Sequence, residues 1–186
     1  TRAAACHLLH PRPDLSEWRR TARPVRPRRF LETVRLRVGG LTLAVRSRQP
    51  TAALGLDPEF RAFLVSRGAD ISLELREEAL PVLPSAPPLF DSGGVWSVYE
   101  ERGERLYVFA TPVLSPPCYK AVRIDNALRK GTLFFPRSPG GGPRHALEFP
   151  LDELLFQHRL ASDGALEVHA CGVVIDGRAA LFLGQS

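Results

Sequence analysis

A chain of 186 residues with 44% apolar and 24% charged content can bury one substantial core. No apolar run reaches the length of a membrane span and no secretory leader is recognisable, so the expectation is a soluble, cytoplasmic protein with no membrane partner. The net charge of +5 is uneven: through Arg48 there are twelve Arg against three acids (Asp14, Glu17, Glu32), a balance of +9, while the remainder carries thirteen basic and seventeen acidic groups, a balance of −4.

Residues 1–29 are rich in Arg and Pro and show no sustained apolar period, which predicts a flexible arm. Clustered Arg suits nucleic-acid phosphates, but few aromatics accompany it, and Arg outnumbers Lys 23 to 2 along the whole chain, a composition bias rather than a binding signal. A nucleic-acid partner is therefore not expected. Cys6, His7 and His10 have a loose ligand-like spacing without a further cluster to complete four ligands, so no metal site is assigned. Cys6, Cys118 and Cys171 are odd in number and widely spaced, which predicts thiols. A first residue Thr1 and the lack of any Met predict a chain cut from a longer one.

Residues 30–149 read as a β-rich domain. Val34, Leu36 and Val38 alternate with polar residues, as do Leu41, Leu43 and Val45, and Gly39-Gly40 links the two runs as a β-hairpin. Asp57-Pro58 is a helix-start signal, Phe60, Phe63 and Leu64 have helical spacing, and Gly68 is the stop. Ile71, Leu73 and Leu75 alternate as a strand. The prolines from Pro81 to Pro88 mark a connector. Strands over Val95–Tyr99, Leu106–Phe109, Tyr119–Ile124 and Thr132–Phe135 form a predicted antiparallel meander, and the glycines of 138–143 form a connecting loop.

Pro150 opens a predicted linker helix over 150–163, with Leu151, Leu154 and Leu155 on one face and His158 at the surface. Residues 164–186 read as a second hairpin. Leu166–Ile175 and Arg178–Leu183 flank the turn Asp176-Gly177, and the nearly all-apolar second strand predicts burial on both faces. On an extended strand Glu167 and His169 share a face. The chain closes on Gly184-Gln185-Ser186, which reads as the opening of a phosphate-binding loop, G-x-x-x-x-G-K-[ST].

The segment Pro150–Ser186, roughly the last fifth of the chain, resembles the start of the kinase domain of the HPr serine kinase/phosphorylase-like family. There an L-x-x-H-[AG]-x-x-[VI] strand, matched by Leu166 to Val173, pairs with an apolar strand leading into G-x-S-G-x-G-K-[ST]. The helix Pro150-Leu151-Asp152-Glu153-Leu154-Leu155 also reads like the linker helix of the HPr-kinase-related proteins, and the upstream Phe90-Asp91-Ser92 and Val95–Tyr99 resemble their amino-terminal region in a general way. The resemblance implies an α+β architecture: a mostly antiparallel mixed sheet with few short helices, then the first β-hairpin of a P-loop α/β kinase-like domain. It implies ATP-dependent phosphoryl transfer, with Mg²⁺, to a Ser hydroxyl of a protein or peptide. Gly184, Gln185 and Ser186 would begin the nucleotide-binding loop, and His169 would lie near the active-site mouth as the catalytic candidate. The loop's Lys and the acidic residues fall beyond Ser186, so the chain is expected to be an inactive fragment. The alternative is a non-catalytic module that binds a peptide or partner.

Overall fold

The computed structural model describes residues 30–56, 58–112, 114, 117–136, 145–168 and 170–184. Strands β1 (Glu32–Val38) and β2 (Leu41–Ser47) form the first hairpin, in register from Glu32↔Ser47 to Val38↔Leu41. Its link uses φ of +57° at Gly39 and +84° at Gly40, the left-handed conformation that a tight hairpin turn needs and that only glycine adopts without strain.

Two short 3₁₀ turns follow. The Thr51 hydroxyl accepts from the Ala53 amide at 3.0 Å and caps Ala52–Leu54. Pro58–Phe63 is the second turn, and the helix predicted from the spacing of Phe60, Phe63 and Leu64 does not extend further. The reason is local: Leu64 bridges Leu36, and the Val65 amide donates to the Arg35 carbonyl at 3.1 Å, so the chain is drawn onto the edge of β1. Asp57, the predicted cap, lies outside the described residues.

Strand β3 (Ile71–Arg76) then pairs with β2 in parallel. Asp70 sets this register, its amide donating to the Thr42 carbonyl and its Oδ2 accepting from the Thr42 amide, both at 2.8 Å. Past the proline-rich connector come β4 (Phe90–Asp91), β5 (Trp96–Glu101), β6 (Glu104–Ala110), β7 (Cys118–Asp125) and β8 (Lys130–Phe134). They form an antiparallel meander as predicted. The Asp125 carboxylate accepts from the amides of Arg129 and Lys130, both at 2.9 Å, closing the β7–β8 turn.

The meander and the first hairpin join in one eight-stranded sheet of order β1-β2-β3-β8-β7-β6-β5-β4. The fold is thus mixed α+β with few helices. Both of β3's pairings, with β2 and with β8, are parallel, a feature absent from the sequence reading. Helix α1 (Leu151–Ser162) packs Leu151, Leu154, Leu155 and Phe156 against the sheet face carrying Leu36, Leu43, Ile71, Leu73, Val122 and Leu133. Each such leucine, fully buried, contributes roughly 2 kcal/mol. On the other face Leu106, Val108 and Ala121 form a smaller cluster beneath Leu80 and Leu83.

Strands β9 (Cys171–Ile175) and β10 (Arg178–Phe182) form a separate two-stranded sheet in register from Arg178↔Ile175 to Phe182↔Cys171. Asp176 and Gly177 turn it with φ of +51° and +73°. Two expectations are corrected here. The first strand begins at Cys171 rather than Leu166, and β10 is exposed along its length, in a sheet that among the described residues contains only these two strands. Cys171 is an exposed free thiol, whereas Cys118 is disulfide-bonded, contrary to the thiol reading. Among the described residues no helix is long and apolar enough to cross a membrane.

Candidate functional site

Among the predicted site residues, Gly184 follows β10 in an exposed position, and a Cβ placed on it would meet nothing within 4 Å. His169, Gln185 and Ser186 lie outside the described residues. Glu167 is exposed and lies before the first residue of β9. What the hairpin supplies is a base: an apolar strand that delivers Leu183-Gly184 to an open end. The described residues do not fit ATP or Mg²⁺ as a complete site. Both lysines of the chain belong to the sheet, Lys120 on β7 and Lys130 on β8, and no group of three His, Cys, Asp or Glu is placed to hold a metal among the described residues.

The densest polar constellation lies instead where α1 meets the sheet. Lys120 is fully buried, with its Nζ 3.6 Å from Glu148 Oε1 and 3.4 Å from the Glu148 carbonyl. The ammonium also sits over the rings of Phe109 (5.0 Å) and Tyr119 (5.5 Å), whose π faces attract a cation. Loss of water lowers its pKa to about 8, and the negative charges of Glu148 and Asp152 only partly oppose that. Burial pushes the Tyr119 phenol up to about 12, and Glu148 adds to the rise through its charge and hydrogen bonding. Asp152 Oδ1 is buried without a hydrogen-bond partner among the described residues.

This cluster escaped the sequence reading, although a signal was present. Lys120 stands in phase with Val122 and Ile124 on an alternating strand, so period 2 places its charge on the core face. A charge in that phase needs a partner, and Glu148 sits just before α1, which carries Asp152.

His158 is likewise not the surface residue expected. It is half-buried on α1, with Nδ1 2.7 Å from the Tyr107 hydroxyl. Burial, and then the Arg105 guanidinium, lower its pKa. These contacts tie the helix leading into the β9–β10 hairpin to the centre of the sheet. Chemically, the Lys120 cluster is closed to substrates and positions α1, while the hairpin end is open and carries little chemistry of its own. Comparison of the chain with protein-family models, curated proteins and solved structures found no match.

Proposed function

We propose that this chain is the leading part of an HPr-kinase-related phosphotransferase, which moves a phosphoryl group from ATP to a Ser hydroxyl of a protein or peptide. One observation carries the reading: a short apolar hairpin, turned by the left-handed pair Asp176-Gly177, brings Gly184 to an exposed end directly after an apolar strand. A phosphate loop requires that order, because a strand fixes the loop's base and a glycine permits the sharp exit that exposes backbone N–H groups. In sequence Gln185 and Ser186 follow Gly184 as the next loop positions, and the family resemblance would put His169 near the active-site mouth. The Lys and acidic groups that hold phosphates and Mg²⁺ would come from sequence following Ser186.

The test begins with the reading frame past Ser186. A continuation of the Gly-x-Gly-Lys-[Ser/Thr] type is expected, and the extended protein should transfer labelled γ-phosphate from ATP to a Ser peptide. A stop, or a continuation without Lys, would sink the kinase reading.

A second reading, a non-catalytic module that binds a peptide, draws on one feature. Between the proline-rich connector and the sheet lies a groove of about 620 Å³, lined by Leu80, Leu83, Pro88, Tyr99, Val108 and Ala121. Peptide binding there that ignores ATP, in a chain without the loop Lys, would favour it.

A further inference from the structure

The sheet face opposite α1 changes character along its width. At the meander it is apolar, whereas on β1 and β2 it carries Arg35, Arg37, Arg46 and Arg48. Alternation places all four on one side, and the register Thr33↔Arg46, Arg35↔Ala44 and Arg37↔Thr42 sets Arg35 diagonally beside Arg46. The acids of this face near them are already engaged: Glu74 binds Arg48 (3.0 Å) and Arg76 (3.3 Å), and Asp70 binds the Thr42 amide. Arg37 is exposed, its Nε donating to Thr42 Oγ1 at 3.2 Å. Arg35 Nε and Arg46 Nε are buried with no hydrogen-bond acceptor among the described residues. A buried donor left unmade costs about 1–3 kcal/mol, and native structures rarely keep two side by side without use.

We propose that this face docks an extended acidic segment of a protein partner, with carboxylates at alternate residues. Arg35 and Arg37 lie two residues apart on β1, a spacing of about 7 Å along the strand, and Arg46 stands diagonally beside Arg35 on β2, whereas the Arg48 fork is already filled by Glu74. An extended peptide repeats its side chains on one side at the same interval, so successive carboxylates meet successive guanidinium forks. Each fork can take a carboxylate through two parallel hydrogen bonds. A single-stranded nucleic acid fits less well, because such sites interleave aromatic rings that stack on bases. Here the nearby ring, Phe30, already lies under the guanidinium groups of Arg46 (5.7 Å) and Arg48 (4.8 Å). Docking needs no nucleotide, so it stands or falls separately from the phosphotransfer reading.

The test is fluorescence anisotropy on the full chain with three labelled probes: a peptide alternating Glu with Thr, a peptide of the same composition with its Glu residues in one block, and an oligothymidylate. The alternating peptide should bind tightest. The double substitution Arg35→Gln/Arg46→Gln should weaken it about tenfold or more, the equivalent of one good ion pair. The exposed Arg37→Glu, checked for native circular dichroism, should weaken it as well, and guards against a double variant that fails to fold. Equal affinity for the block peptide, tighter binding of oligothymidylate, or affinity unchanged by Arg37→Glu would each overturn the proposal; the last would assign binding to arginines elsewhere in the chain.

Discussion

Tyr107 in the middle of β6 and His158 on α1, 51 residues apart in sequence, share a 2.7 Å hydrogen bond that pins the helix to the sheet. Tyr107 is almost fully buried, and burial raises its pKa, partly offset by Arg105. Tyr107→Phe should cost about 1–2 kcal/mol in urea unfolding, the worth of a buried hydrogen bond plus the acceptor left behind. An unchanged midpoint would show that the bond contributes nothing.

The same histidine gives an acid-side signature. Its folded pKa is below the usual 6.5, so above pH 6.5 its contribution is fully present, and it is lost as pH falls through the lowered folded value. Stability of the wild type should therefore decline below pH 6.5 more than that of His158→Gln, as measured by thermal melts across the acid range.

Lys120 acts at the other end of the scale. With a folded pKa of about 8 against 10.5 unfolded, the unfolded chain binds more protons between those values, so stability rises with pH across that window. The rise has an upper bound of about 3 kcal/mol. Lys120→Met should abolish it. Tyr119, held up at about 12, works oppositely above pH 10, where the folded state keeps its proton and stability falls. A wild-type profile flat from pH 8 to 10 would refute this account of Lys120.

Gly131 on β8 is a packing position rather than a turn. A Cβ there would meet the Arg123 carbonyl oxygen and the Cβ of Ile124 at the register position opposite. Backbone cannot give way as a side-chain end can, so Gly131→Ala should destabilise by about 1–3 kcal/mol. Equilibrium denaturation measures it.

The meander, the first hairpin and α1 were legible because their patterns are local: Gly39-Gly40 and Asp176-Gly177 announce turns, and Leu151, Leu154 and Leu155 mark one helical face. Parallel pairing is not local. Nothing within Ile71–Arg76 says that its neighbours are β2 and β8, because the same alternation suits either direction of partner. The helix predicted around Phe60 failed for a related reason, since hydrogen bonding of Val65 to β1 outweighed a weak helical period. Of the candidate site, the hairpin and Gly184 were readable, whereas the Lys120 cluster needed the fold to bring Glu148 and Asp152 to β7.

Strand β3 sits between two units that could each form by local pairing, the β1–β2 hairpin and the meander of β4 to β8. It is the clasp between them. Its partner β8 follows only after the whole connector and four further meander strands have been made, so the clasp closes late in synthesis and through a long loop. Until then, the inner edges of β2 and β8 both stand open. The vulnerable stage in this protein's life is therefore the interval before Ile71–Arg76 is seated, when two sticky sheet edges await the same six residues.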